Sequence, residues 1–250
     1  MELAALRESM RKLAPSAILA PARRAAGIST GFEDLDRHLR AGGVPQGQLT
    51  EISGAASSGK TALALGILAA ATRAGALVAI IDAQGGFYPP AAAALGVDLT
   101  RLLVARVPAP KDEGKGAEAA KRAVRAAEIL ARSRAFSPIV VALGAGARFD
   151  AAQARRLRAA AQRSGAALIV LSERRGAADG AALRVEVAPA PGRRGRHLLA
   201  EVSKGAAQGG TARAAISFAA LRIDDTPPTE LPPTTRRLEP GIEHHVRGRP

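Results

Sequence analysis

Residues 48–75 read QLTEISGAASSGKTALALGILAAATRAG, and three different local chemistries succeed one another along them. Gln48–Ser53 mixes β-branched and apolar residues and predicts a strand. Gly54–Thr61, GAASSGKT, matches the pattern G-x-x-x-x-G-K-[ST] in full. From Ser58 the chain is a run of good helix formers, closed by Gly75. Strand, glycine-rich turn and helix in that order form the context in which such a loop binds phosphate. The glycines let successive backbone N–H groups aim at one point, and the helix start adds the positive end of its dipole. Lys60 would meet the β and γ phosphates as a point charge, and the Thr61 hydroxyl would help hold Mg²⁺. Gly54, Ala55, Ala56, Ser57, Ser58, Gly59, Lys60 and Thr61 are therefore the candidate nucleotide site, with ATP and Mg²⁺ as the expected ligands.

On either side the pattern alternates. A short helix is predicted over Phe32–Leu39, ended by Gly42-Gly43. Beyond the loop come strands at Leu77–Asp82, Leu102–Val107, Ile139–Leu143 and Ala167–Ser172, separated by helices near Pro90–Leu95, Ala117–Arg134 and Ala151–Ser164. Strands alternating with helices of this length specify βαβ units, hence an α/β fold with a mainly parallel sheet flanked by helices. Then the rhythm changes. Leu183–Ala188, Arg196–Ser203 and Ala212–Phe218 read as short strands without intervening helices, an antiparallel extension at the C-terminal side.

The ends differ from this core. Leu3, Leu6, Met10 and Leu13 form one apolar stripe at helical spacing, and Pro15 and Pro21 separate it from the core. Residues 1–24 are thus an N-terminal helix and linker, with packing on its own domain and docking on a partner both open. Residues 25–223 form the core. Residues 224–250 are rich in proline and charge, poor in apolar residues, and predict a disordered tail. Two histidines there, His244 and His245, have no further ligand nearby and read as solvated rather than metal-binding.

Composition narrows the function classes. Cysteine is absent, which excludes disulfide frameworks and thiolate zinc sites. Neither a signal peptide nor a membrane span is legible, which makes the cytoplasm the expected compartment. Lysine and arginine number 36 against 22 acids, a formal net charge of +14, which suits a polyanion such as nucleic acid. Arginine-rich solvated helix faces give the same total. Aromatics make up only 2% of the chain, so base-stacking platforms are scarce.

GISTGFEDLDRHLRAGGVPQGQLTEISGAASSGKTALAL, the strand ending IIDA, and LGVDLTRLLVARV resemble the corresponding stretches of the RecA recombinases. FYPPAAAALGVDLTRLL, ALIVLSE and ALRVEVAPAPGRRGRHLLAEVSK are similar to the ImuA family of short RecA-like proteins. That resemblance implies a RecA-like fold and a role in SOS-induced translesion mutagenesis, with an ImuB-like adaptor, an error-prone polymerase, and RecA itself as partners. It also exposes departures. The catalytic glutamate of RecA matches Gln84, and the Mg²⁺-associated aspartate matches Ala142. An amide cannot take a proton from water, and alanine offers no ligand atom. The expectation is a nucleotide binder that is not an efficient ATPase; the alternative is an active, DNA-dependent strand-exchange recombinase, with Glu173 as a substitute acid.

The resemblance places two DNA-binding loops at Gly144–Asp150 and Glu173–Gly180, both short. Arg174 and Arg175 in the second, with Arg193, Arg194 and Arg196 later, are candidates for phosphate contacts to single-stranded DNA. Solvated turns explain the same residues equally well.

Overall fold

The computed structural model describes residues 27–107, 115–144, 146–191 and 197–218. The N-terminal stripe, the tail with its histidines, and Arg193, Arg194 and Arg196 lie outside these residues. The elements are α1 (Glu33–His38), β1 (Leu49–Ser53), α2 (Lys60–Arg73), β2 (Leu77–Asp82), α3 (Pro89–Ala94), a 3₁₀ turn (Leu99–Arg101) and β3 (Leu102–Arg106). Next come α4 (Lys115–Ser133), β4 (Phe136–Ala142), α5 (Ala151–Ser164), β5 (Leu168–Ser172), β6 (Leu183–Pro189), β7 (His197–Lys204) and β8 (Ala212–Ser217).

The strands form one eight-stranded sheet in the order β3-β2-β4-β5-β1-β6-β7-β8. β1 lies between β5 and β6, parallel to both. All five of its residues are buried, as expected of a strand covered on both faces. Helix α2 packs on one face, where Ile52, Ile80, Val140, Ile169 and Val185 share a core with Leu63, Ile67 and Leu68. Helices α4 and α5 pack on the other, against Leu49, Ile81, Val141 and Val170.

The helices show why each takes its place. In α4 the buried residues Ala120, Ala123, Val124, Ala127 and Ala131 recur at three- and four-residue spacing, with arginines outward. In α5 Ala154, Leu157, Ala160 and Ala161 do the same. Asp150 caps α5 by accepting from Gln153 N at 2.7 Å while Gln153 Oε1 accepts from Asp150 N at 2.9 Å, a reciprocal capping box. Helix α2 is buried nearly all round, since α1 and the far end of the sheet cover its outer side.

The last three strands form the expected antiparallel extension, β6 pairing antiparallel with β7 and β7 with β8. On its other edge β6 runs parallel to β1, which joins the extension to the parallel sheet. The chain passes from β5 across β1 to β6 through Glu173–Ala182, with no helix in that connection. One detail departs from expectation: β4 begins at Phe136 rather than after Pro138. The pairing of β2 with β4 shifts register between Leu77 and Ala79, which accommodates a proline that has no N–H to donate.

Because six strands are parallel, their carboxyl ends meet along one edge. Gly54, Ala83, Leu143 and Glu173 each come directly after a strand there, and open α/β sheets bind ligands at that edge.

Candidate functional site

The loop from Gly54 to Gly59 leaves β1 and turns directly into α2. Its start is pinned by Gly54 N donating to Ser172 O at 3.2 Å, and its middle by Ser58 N donating to Ala55 O at 3.1 Å. Two glycines are required. A Cβ on Gly54 would collide with both Ser58 Oγ and Val187 O. Gly59 has φ +92° and stands against Leu198 of β7, whose methyls would lie 2.5 Å from an added Cβ. Ser57, at φ +59°, also takes the left-handed conformation, an uncommon one for a residue with a side chain.

No side chain caps the first turn of α2, and that turn holds no acid. Its N–H groups and the helix dipole face outward unopposed. The Lys60 ammonium folds back and donates to Ala55 O at 3.0 Å, with the residue only 8% exposed. Ser58 Oγ is buried with no hydrogen-bond partner. A lone cation, an orphaned hydroxyl and uncapped amides around one narrow turn fit a polyphosphate. Thr61 is exposed at the helix start.

The ends of β4 and β2, two and three strands along the same edge from β1, carry the departures noted in the sequence. Asp82 and Ala142 are register partners on β2 and β4. The Asp82 carboxylate is 2% exposed and fully engaged. One oxygen accepts from Gln84 N (3.2 Å), Gly85 N (2.8 Å) and Gly86 N (3.3 Å), the other from Phe87 N (2.9 Å). It organises the turn after β2. Gln84 donates its amide Nε2–H to Leu143 O, which ties the ends of β2 and β4 together. Among the described residues no group of three or more His, Cys, Asp or Glu is placed to hold a metal ion. Mg²⁺ would have Thr61 and the nucleotide's own oxygens.

Beneath the loop lies a buried acid that the sequence did not single out. Glu51 of β1 is 1% exposed; its Oε1 accepts from Ala177 N at 2.8 Å. Its Oε2 stands 3.1 Å from Arg184 Nε on β6, an ion pair whose N–H is not aligned for a hydrogen bond. This carboxylate anchors the connection after β5 to the strand that leads into the phosphate loop. An acid inside the predicted strand QLTEIS was its only sequence signal.

The predicted DNA-contacting arginines separate. Arg175 is held by Glu186 of β6 and by Glu201 of β7, 2.9 Å away. Those two hydrogen bonds, Glu201's first, raise its guanidinium pKa. Glu201, bonded by Arg175 and then by Arg213 at 3.0 Å, has its carboxyl lowered. Arg174 is exposed, has no carboxylate within ion-pair distance among the described residues, and lines a cavity of about 360 Å³ with Arg148 and Glu173 between the ends of β4 and β5. Arg148 was not among the sequence candidates.

The family description "RecA N-terminal domain" matches residues 7–151, more than half of the chain. Among curated relatives, the chain is 44% identical to Protein RecA of Rubrobacter xylanophilus over 119 residues, covering 48% of this chain and 32% of that protein. It is 46% identical to Protein RecA of Clostridium acetobutylicum over 114 residues, covering 46% and 30%. The chain therefore spans about a third of the length of the curated relatives it matches. Among solved structures, the RadB recombinase superposes with a TM-score of 0.59 at 22% identity, covering 76% of this chain and 95% of that one, a likeness of fold.

Proposed function

The chain belongs to the RecA N-terminal domain family, and from that premise we propose that it is a nucleotide-binding accessory protein of DNA repair that hydrolyses ATP poorly. One observation carries this reading. The phosphate loop keeps its glycines, Lys60 and uncapped helix start. The ends of β2 and β4 on the same sheet edge offer Gln84, Ala142 and an Asp82 already bonded to four amides.

Bound nucleotide would supply a phosphoanhydride and a Mg²⁺ ion. Lys60 would exchange the Ala55 carbonyl for phosphate oxygens, and Ser58 Oγ would gain the partner it lacks. Thr61 would present its hydroxyl to the metal. Gln84 orients through its amide and removes no proton. Binding without efficient turnover makes the nucleotide a stabiliser of one conformation rather than a fuel.

The finer assignment is an ImuA-like protein of SOS-induced translesion synthesis, working with an ImuB-like adaptor, an error-prone polymerase and RecA. It rests on the similarity of FYPPAAAALGVDLTRLL and ALRVEVAPAPGRRGRHLLAEVSK to that family. Arg148 and Arg174 supply candidate phosphate contacts for single-stranded DNA, and Arg193, Arg194 and Arg196 remain candidates. Among the described residues no helix is long and apolar enough to cross a membrane; the cytoplasm is the proposed compartment.

The alternative, an active DNA-dependent recombinase, draws on one feature: Glu173 comes directly after Ser172, whose carbonyl bonds the first residue of the phosphate loop. Melting and turnover separate the readings. ATP with Mg²⁺ at about a hundred times Kd stabilises a specific binder by about 2.7 kcal/mol, and Lys60→Ala abolishes the gain. Turnover stays at background with or without single-stranded DNA. Strong stimulation by DNA, lost in Glu173→Gln, would establish the recombinase instead.

A further inference from the structure

We propose that the C-terminal ends of α4 and α5 form a docking groove for an acidic protein segment carrying an apolar side chain. The groove lies on the α4–α5 face, at the edge of the sheet opposite the phosphate loop, since both helices run antiparallel to the strands they cover. Its volume is about 440 Å³ and its walls include Glu128, Arg132, Arg134, Arg163 and Ser164.

Charge comes first. Glu128 is the single acid in that wall, and both its oxygens are taken by Arg156 of α5. Arg132, Arg134 and Arg163 have no carboxylate within ion-pair distance among the described residues, so three guanidinium groups share one concavity uncompensated. Arginines in a last helical turn complement the helix dipole, which accounts for Arg132 and Arg163 one at a time. It does not account for Arg134, which stands just past α4 in the left-handed conformation, at φ +57°. Glycine takes that position without cost; here an arginine occupies it and donates Nη2–H to Arg163 O at 3.3 Å, across to the neighbouring helix. Strained non-glycine residues of this kind gather at binding sites.

The second observation is apolar. Ile129 of α4 is 58% exposed, more than any other large aliphatic side chain among the described residues. It neighbours Arg125 and Arg132 on the outer surface of α4, at i−4 and i+3, and so lies one residue beyond the groove wall that Arg132 forms. An exposed isoleucine between Arg125 and Arg132 offers nothing to a sugar–phosphate backbone. It matches an amphipathic acidic segment, whose carboxylates meet the guanidiniums bidentately while an apolar residue covers Ile129.

This inference rests on the partner-binding side of the proposed function and not on the nucleotide site. The test uses the full chain and a labelled helix-forming peptide with glutamate and leucine at helical spacing, beside a version with serine in place of leucine. Fluorescence anisotropy is read at near-physiological salt, and melting temperatures verify that each variant is folded. The leucine peptide is expected to bind more tightly than the serine peptide. Arg132→Ala with Arg163→Ala weakens it about tenfold or more, and Ile129→Ser removes the preference for leucine. Lys60→Ala leaves peptide binding unchanged while losing the ATP-induced shift, so failure of the nucleotide reading shows itself separately. Equal binding of the two peptides, or indifference to Ile129→Ser, overturns the proposal. Displacement by oligothymidylate through the same two arginines also overturns it, making the groove a nucleic-acid surface.

Discussion

Placing at position 84 the acid that the resemblance to RecA implies is the sharpest perturbation, because the residue now there is already hydrogen-bonded across the sheet edge. Gln84 uses its amide N–H to donate to Leu143 O. A glutamate of the same length brings a carboxylate to that carbonyl, acceptor against acceptor. One partly buried hydrogen bond is lost and a repulsion replaces it, which costs about 1–2 kcal/mol. At ~2–4 °C per kcal/mol for a domain of this size, Gln84→Glu melts about 2–8 °C below wild type at neutral pH. The sign with pH is then fixed. Only the protonated acid can donate to Leu143 O, so folding raises the pKa of the introduced carboxyl above its unfolded value of about 4.3. The variant's bond is intact below that value and is lost as pH rises through the folded pKa; its deficit against wild type is therefore largest at neutral pH and shrinks toward about pH 4. Hydrolysis stays at background, since Ala142 still supplies no metal-associated group and Asp82 remains bonded to the turn. Calorimetric melts of both proteins from about pH 4 to neutrality, with ATP turnover measured at neutral pH, check these outcomes. A variant that melts like wild type, or that hydrolyses ATP with DNA stimulation, would refute the reasoning.

Removing the carboxylate of Asp82 with Asp82→Ala strips four amides of their acceptor; a loss of about 2–4 kcal/mol in chemical denaturation is expected, since charge-assisted bonds are the strong ones and exposed amides recover water. Arg184→Ala leaves Glu51 buried without its cation and costs about 3 kcal/mol, whereas Arg184→Ala combined with Glu51→Gln recovers part of it. Gly59→Ala forces a Cβ into Leu198 at φ +92° and abolishes the ATP-induced melting shift with a folded spectrum retained. Arg175→Ala raises the Glu201 carboxyl toward its ordinary value, because the Arg175 hydrogen bond is the main cause of its lowering; a side-chain NMR titration reads this. In wild type that contribution is present above the unfolded value and lost as pH falls through the lowered one, and salt weakens it because the network is exposed.

Much of the fold was legible because it depends on neighbours in sequence. The strand, the glycines and the helix formers of residues 48–75 act within a few residues of each other, and the structure places β1, the loop and α2 accordingly. The βαβ rhythm predicted a parallel sheet for the same reason. The second partner of β6 was not legible. Leu183–Pro189 alternates buried and half-buried residues like a hairpin strand, which fits its antiparallel pairing with β7, but nothing local announces that its other edge pairs in parallel with β1. Sheet order decides it, and sheet order is a property of the whole chain.

The site divides along the same line. By itself the sequence determined which residues stand in the loop and at what spacing, Lys60 and Thr61 included, and the absence of acids at positions 84 and 142, since each is a matter of residue identity. Tertiary structure alone decided what the remaining charges do. It committed Asp82 to four amides, bound Gln84 to a carbonyl 59 residues away, buried Glu51 against Arg184, tied Arg175 to two carboxylates, and left Arg132, Arg134 and Arg163 facing one groove. A side chain's partner comes from whichever strand or helix the fold brings alongside, and a charge is worth what its partner and its burial make it.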